Sequence, residues 1–323
     1  MATATNTVEK LLLAAPRGYC AGVDRAVQTV ELALERYGPP VYVRKEIVHN
    51  KHVVEQLRAR GAIFVDEETE VPSGSMTVFS AHGVAPSVHT NAAARGLRTI
   101  DATCPLVTKV HVEAKKFAAD GYTIVLIGHD GHEEVEGTMG EAPESIVLVQ
   151  TDDDVERLEI GNPDKLAFIS QTTLSVDETS TIIARLRARF PQIIGPRTDD
   201  ICYATTNRQS AVKQMAPLCD LVLVVGSRNS SNSKRLVDVS RDLGTESHLI
   251  DGEQDVDEVW LEDKRVVGIS SGASAPEELV TRLVDFFRAR GVEQVEEFAV
   301  MREDVRFMLP KTIRPDRPAA VPS

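Results

Sequence analysis

The chain has 323 residues, 42% of them hydrophobic, and carries 49 acidic against 36 basic side chains for a net charge of −13. That length can bury a sizeable core and suggests two or three domains, while the negative field argues against a binder of nucleic acid or of an anionic membrane surface. No run approaches ~18 consecutive apolar residues, and Met1–Lys10 has no charged segment leading into an apolar core, so the cytosol is the expected compartment and no membrane span is expected.

Along the chain, an apolar run from Leu11 to Ala15 leads into Arg17-Gly18-Tyr19-Cys20-Ala21-Gly22-Val23-Asp24. A dinucleotide-binding fold would put its glycine loop here, but the further glycines of that pattern do not follow and the loop carries a thiol. A helical pattern then covers Val23–Tyr37, a β-branched run Pro40–Val43, a second helix His52–Arg60 and a second strand Met76–Ser80. The alternation continues with a helix at Leu106–Ala119, strands at Tyr122–Ile127 and Lys165–Ser170, and a helix at Thr179–Phe190. Strands at Leu221–Val225 and Val266–Ser270 and a helix at Glu277–Arg290 complete it. Short apolar strands alternating with amphipathic helices predict an α/β fold with mainly parallel sheets. No Gly-x-x-x-x-Gly-Lys-Ser/Thr segment occurs, which disfavours nucleotide hydrolysis.

The spacing of the cysteines suggests a repeat. Cys20 and Cys104 are 84 residues apart, Cys104 and Cys202 are 98 apart, and each lies in a loop that opens a helix. Two further loops recur in phase. After a middle strand come Val48-His49-Asn50, Gly128-His129-Asp130-Gly131-His132 and Asn229-Ser230-Ser231-Asn232; after a later strand come Ser80-Ala81-His82, Ser170-Gln171-Thr172 and Ser270-Ser271-Gly272-Ala273-Ser274. Three similar modules are expected, over residues 1–103, 104–198 and 199–290, with the N-terminal strand free to pair with the third module and residues 291–323 as a C-terminal tail. The tail's prolines, Pro310, Pro315, Pro318 and Pro322, suggest an extended or mobile segment. Ligands of parallel sheets sit beyond the carboxyl ends of the strands, so modules related by a pseudo-threefold axis would aim nine loops at one cavity.

Four cysteines so far apart suit reduced thiols rather than a disulfide framework. Any single cysteine is more readily explained as a small buried side chain, and Cys219, in the run Met215-Ala216-Pro217-Leu218-Cys219, is read that way. Three in phase at helix starts, where exposed amides favour a thiolate, point instead to a metal site. Without a fourth thiol the options are zinc completed by histidine or an iron–sulfur cluster with one iron lacking a protein ligand, and the spacing does not choose. The second and third loops offer His49, His82, His132, Thr172, Ser230, Ser231, Asn232 and Ser274, compact donors suited to an anion such as a phosphate. Taken singly, the hydroxyls are as well explained as helix caps and the histidines as satisfied polar groups. Glu133, Glu134 and Glu136 complement a helix N-terminus, and one of them could deliver protons near a metal and an anion.

Eight ordered segments resemble the 4-hydroxy-3-methylbut-2-enyl diphosphate reductase (IspH, LytB) family over about residues 10–285. They are Pro16-Arg17-Gly18-Tyr19-Cys20-Ala21-Gly22-Val23, Ile47-Val48-His49-Asn50, Ser80-Ala81-His82-Gly83-Val84, Asp101-Ala102-Thr103-Cys104-Pro105, His132-Glu133-Glu134-Val135-Glu136-Gly137-Thr138, Gln171-Thr172-Thr173-Leu174-Ser175, Cys202-Tyr203-Ala204-Thr205-Thr206-Asn207-Arg208-Gln209 and Asn229-Ser230-Ser231-Asn232-Ser233. The resemblance implies three α/β domains around a central [4Fe-4S] cluster held by Cys20, Cys104 and Cys202, with the unique iron taking the substrate oxygen. It implies Glu134 as proton donor, Thr172 as its hydroxyl partner, and His49, His82, His132, Ser230, Ser231, Asn232 and Ser274 as the grip on the diphosphate, with some of the histidines protonated when ligand is bound. It implies the last step of the non-mevalonate isoprenoid pathway, fed by a ferredoxin- or flavodoxin-type donor with its reductase. Position 133 departs from the family pattern, being Glu where many relatives have Pro. A zinc hydrolase of a phosphorylated substrate and a redox- or iron-sensing binding protein are the rival readings.

Overall fold

The computed structural model describes residues 7–314. β1 (Lys10–Ala15) leads into α1 (Ala21–Tyr37), and the first sheet follows: β2 (Val41–Arg44), α2 (Lys51–Ala59), β3 (Ala62–Val65), β4 (Met76–Phe79), α3 (Pro86–Ala94) and β5 (Arg98–Asp101). Its strand order is β3-β2-β4-β5, every pair parallel. The second unit holds α4 (Pro105–Ala119), β6 (Thr123–Ile127), α5 (Glu133–Met139), β7 (Ile146–Val149), α6 (Asp152–Arg157), β8 (Leu166–Ser170) and α7 (Val176–Arg189), with parallel order β7-β6-β8. The third holds α8 (Tyr203–Met215), β9 (Leu221–Val225), α9 (Ser231–Asp242), β10 (Glu246–Ile250), β11 (Val266–Ser271), α10 (Glu277–Arg288) and β12 (Gln294–Ala299).

The third sheet runs β10-β9-β11-β1-β12, so the N-terminal strand is paired on one side with β11 and on the other with β12. The described residues beyond 290 are therefore not a separate tail. Gln294–Ala299 form an edge strand, and Pro310 and Ile313 are buried, Ile313 within the core between α1 and the first sheet. A segment that carries a proline can still dock where it covers apolar surface, as the one around Pro310 does. Pro315, Pro318 and Pro322 lie outside the described residues.

Central strands are apolar on both faces because helices cover both sides, as parallel sheets require. Every residue of β4 and β9 is buried, and so is every residue of the edge strand β8. Helices bury one stripe: on α10 it is Leu279, Val280, Leu283, Val284 and Phe287, at helical spacing. Phe287 is fully enclosed, and truncating it to alanine would cost about 3–5 kcal/mol. Helix starts follow local chemistry. Pro105 opens α4, Ser175 caps α7, and Cys20 and Cys202 cap α1 and α8. Among the described residues no helix is long and apolar enough to cross a membrane.

Candidate active site

The loops beyond the carboxyl ends of β2, β4, β6, β8, β9 and β11 meet the starts of α1, α4 and α8 around one cavity of about 670 Å3, including its open mouth. All twelve residues singled out in the sequence line it: Cys20, Cys104 and Cys202; Glu134 and Thr172; His49, His82 and His132; Ser230, Ser231, Asn232 and Ser274. Each of the three units supplies one cysteine at a helix start and residues from two strand ends.

The thiols form one end of the cavity. Cys20 accepts from the Val23 amide at 3.5 Å and Cys202 from the Thr205 amide at 3.4 Å. Cys104 makes no capping hydrogen bond, yet the Leu106 and Val107 amides favour its thiolate. A Cβ added to Gly22 would stand 2.7 Å from the Cys104 sulfur and 3.7 Å from that of Cys20, so only glycine leaves room for both thiols at this end of the cavity. Burial pushes Cys104 up to about 12 and Cys202 up to about 11, and raises Cys20 as well. Thiolates in so dry a place call for a cationic partner.

The donor set fits a polynuclear group better than one ion. Three thiolates on a single zinc, at ~2.3 Å each, would lie about 3.8 Å apart. Among the described residues the ligand atoms that gather within 4.8 Å of one another are those of His49, His82 and Glu133, not the three sulfurs.

Beside the thiols, Glu134 is buried and takes both donors of Thr172. The Thr172 amide donates to Oε1 at 2.6 Å and its hydroxyl to Oε2 at 3.0 Å, while the Thr172 carbonyl accepts from the Cys202 amide at 3.0 Å. Burial raises the Glu134 carboxyl to about 7 against these hydrogen bonds, with Asp200 adding to the rise. A carboxyl poised there can give up a proton at neutral pH.

The histidines form another wall. The rings of His49 and His82 stack at 4.0 Å and 17°, and His132 stands edge-on to both at 5.6 and 5.9 Å. Burial, then the charge His82 would carry, lowers His49; the same causes, with His49 added, press His132 down to about 3. His132 Nδ1 accepts the Glu134 amide at 3.1 Å, so its neutral ring keeps a proton on Nε2.

The third unit contributes neutral donors. Ser230 caps α9, accepting from the Ser233 amide at 3.3 Å; Ser231 donates to the Thr173 carbonyl at 3.3 Å and Ser274 to the His49 carbonyl at 2.9 Å. The Ala273 amide donates to Asn232 Oδ1 at 3.0 Å, which turns Nδ2 to the Thr205 hydroxyl at 3.2 Å. Thr205 is thereby free to donate to the Cys202 sulfur, 3.2 Å away.

Some of this support was not singled out in the sequence. Thr205 is one case, and its place three residues after Cys202 in a cap was the available signal. The enclosed Arg208 is another: it donates to the Gly18 carbonyl at 2.7 Å, the Ala204 carbonyl at 3.0 Å and Glu303 Oε1 at 3.0 Å, tying the Cys20 loop to α8 and to the segment after β12. Glu133 adds its charge to the histidine wall rather than to Glu134, since its Oε2 lies 3.0 Å from His82 Nδ1.

The profile of a family described as LytB protein matches residues 11–288. The chain belongs to the LytB family. Among curated relatives, a 4-hydroxy-3-methylbut-2-enyl diphosphate reductase of Nocardia farcinica is 60% identical over 313 residues, 97% of this chain and 93% of that one. One of the same description from Acidothermus cellulolyticus is 60% identical over 306 residues, 94% and 90% of the two chains. Among solved structures, the E-1-hydroxy-2-methyl-but-2-enyl-4-diphosphate reductase of Plasmodium falciparum superposes with a TM-score of 0.92 at 38% identity, covering 95% of this chain and 97% of that one. These LytB relatives match across all three sheets, so the cavity between the units lies within the shared fold.

Proposed function

We propose that the protein catalyses the reductive dehydroxylation of (E)-4-hydroxy-3-methylbut-2-enyl diphosphate to isopentenyl and dimethylallyl diphosphates, the last step of the non-mevalonate isoprenoid pathway. The relatives carry the name of this reductase at 60% identity over almost the whole chain. The single observation that carries the reading at the level of chemistry is the convergence of three helix-start thiols, a buried carboxyl and a wall of anion-binding donors on one cavity. In this reading the units are residues 1–103, 104–198 and 199–290, with β1 and the start of the C-terminal segment 291–323 completing the third sheet, and each unit gives one thiol and two loops.

Cys20, Cys104 and Cys202 would hold a [4Fe-4S] cluster, which when bound supplies electrons and a Lewis-acidic iron without a protein ligand. The remaining work belongs to side chains. His49, His82, His132, Ser230, Ser231, Asn232 and Ser274 bind the diphosphate, and that remote binding energy fixes the hydroxyl-bearing carbon at the thiol end. Glu134, oriented by Thr172, gives its proton to the departing hydroxyl. The reaction balances as two electrons and two protons in, the carbon–oxygen bond broken, one carbon–hydrogen bond made and one water out. Electrons arrive from a donor of ferredoxin or flavodoxin type with its reductase, in the cytoplasm.

Purification without oxygen tests this. A brown protein with iron and sulfide that turns over the hydroxylated diphosphate with a strong reductant is expected. A colourless protein with stoichiometric zinc would leave the zinc-hydrolase reading in its place, and iron without turnover would leave the sensor.

A further inference from the structure

Glu133 is an unexpected neighbour for an anion site. Its Oε2 lies 3.0 Å from His82 Nδ1 and 3.5 Å from the Ser80 hydroxyl, yet Glu133 does not line the cavity, whereas His82 does. The carboxylate therefore meets the ring from behind and leaves Nε2 for the cavity. His49 is held in the same way, with its Nδ1 3.3 Å from Glu46 Oε2, which also accepts from Asn229 at 2.7 Å. The rings of His49 and His82 stack nearly parallel at 4.0 Å, and one nitrogen of each lies within 4.8 Å of a Glu133 carboxylate oxygen, so the one carboxylate stands close to both rings.

The charged and titratable groups facing this stack are Glu46 beside His49, Glu133 beside His82, and His132, His129 and the buried Glu134 from the loop and helix after β6. Burial would raise Glu133, but the His82 hydrogen bond and the histidine charges outweigh it and hold the carboxyl below its usual range. Glu133 in turn favours protons on His49 and His132, against burial and mutual repulsion.

Resting on the diphosphate reading of the cavity, we propose that Glu133 is a positioning residue and counter-ion: it fixes the His82 ring with Nε2 toward the cavity and supplies the charge that lets the histidine wall take up protons as a diphosphate enters. The wall gains positive charge as the ligand enters. Affinity then carries a proton, and the pH to which that proton is retained depends on a carboxylate that never touches the ligand.

The test is calorimetry of inorganic pyrophosphate binding to the anaerobically prepared holoenzyme, in buffers of differing ionisation enthalpy from pH 6 to 9, for the natural chain, Glu133→Gln and Glu133→Asp. The ligand's own protonation is common to all three and cancels in the comparison. Removing an opposite charge at hydrogen-bond distance should move the alkaline fall-off of proton uptake down by about one pH unit in Glu133→Gln, and Glu133→Asp should restore most of it. Identical proton uptake and pH profile in the natural chain and Glu133→Gln would overturn the proposal while leaving the site intact. Absence of pyrophosphate binding by the natural chain would instead remove the diphosphate reading of the cavity, and this proposal with it.

Discussion

The first unit and the third present the same two loops to the cavity with opposite chemistry. The first offers His49 and His82, stacked and backed by Glu46 and Glu133. The third offers Ser230, Ser231, Asn232 and Ser274, whose hydrogen bonds run into backbone and neighbouring hydroxyls. The second unit is mixed, with His132 after one strand and Thr172 after the other. One side of the cavity can therefore change its charge and the other cannot. What the three units share is the thiol at a helix start, so a common scaffold carries the proposed cluster and the divergence lies in the grip on the ligand.

The shared feature should be the most sensitive. Cys104→Ser is expected to lose bound iron and to lower turnover by at least ~1,000-fold, read by iron content and anaerobic assay; retained iron with near-normal turnover would break the equivalence of the three units. Next is the residue that belongs to the second unit alone. Glu134→Gln should keep iron and ligand binding and lower kcat by ~100-fold or more, the usual range for a lost general acid. The sign of its pH dependence follows from the raised carboxyl, with a value of about 7. The acid form is present below that value and lost above it, so kcat should fall as pH rises through neutrality and the Gln variant should not show that limb.

What could be seen in advance has a physical pattern. The strands read from sequence, β1, β2, β4, β6, β8, β9 and β11, include every interior strand, while the five not read, β3, β5, β7, β10 and β12, all lie at sheet edges. An edge strand has one neighbour and a half-solvated face, so Arg98–Asp101 and Gln294–Ala299 do not form apolar runs. β8 is an edge that was legible, and a parallel bridge from Ala167 to Ile194 gives it partial cover on its open side. The site was legible because its residues sit in contiguous loops that recur. Its supports were not, since Arg208 and Glu303 are 95 residues apart and are brought together by the segment that follows β12 in the sheet. Glu133 shows the same limit at short range. Adjacent positions on a helix face different neighbours, so a charge next to Glu134 in sequence ends up beside His82.

The contrast between the two walls can be sharpened with a pair of variants. His49→Asn should weaken substrate binding by ~10-fold, the scale of a hydrogen bond to a charged group, and Ser231→Ala by ~2–10-fold. The His49 penalty should grow as pH falls, because only the natural ring gains a proton there. The Ser231 penalty should stay level, and a pH-dependent loss at both positions would erase the distinction between the walls.

The smallest effect is expected at Cys219, the thiol outside the repeat. Its sulfur donates to the Met215 carbonyl at 3.4 Å and packs where a Cβ on Gly268 would stand 2.8 Å away, and burial pushes it up to about 12. It follows α8 and a short turn, whereas Cys202 precedes that helix; 13 residues of helix place the two ends ~20 Å apart. A cluster at one end cannot reach a ligand at the other. Cys219→Ser should leave iron per chain and kcat within twofold of the natural values, with any change confined to thermal stability through the polar hydroxyl placed against β11. Loss of iron from this variant would mean that the cluster is not held by the thiols that recur with the three units.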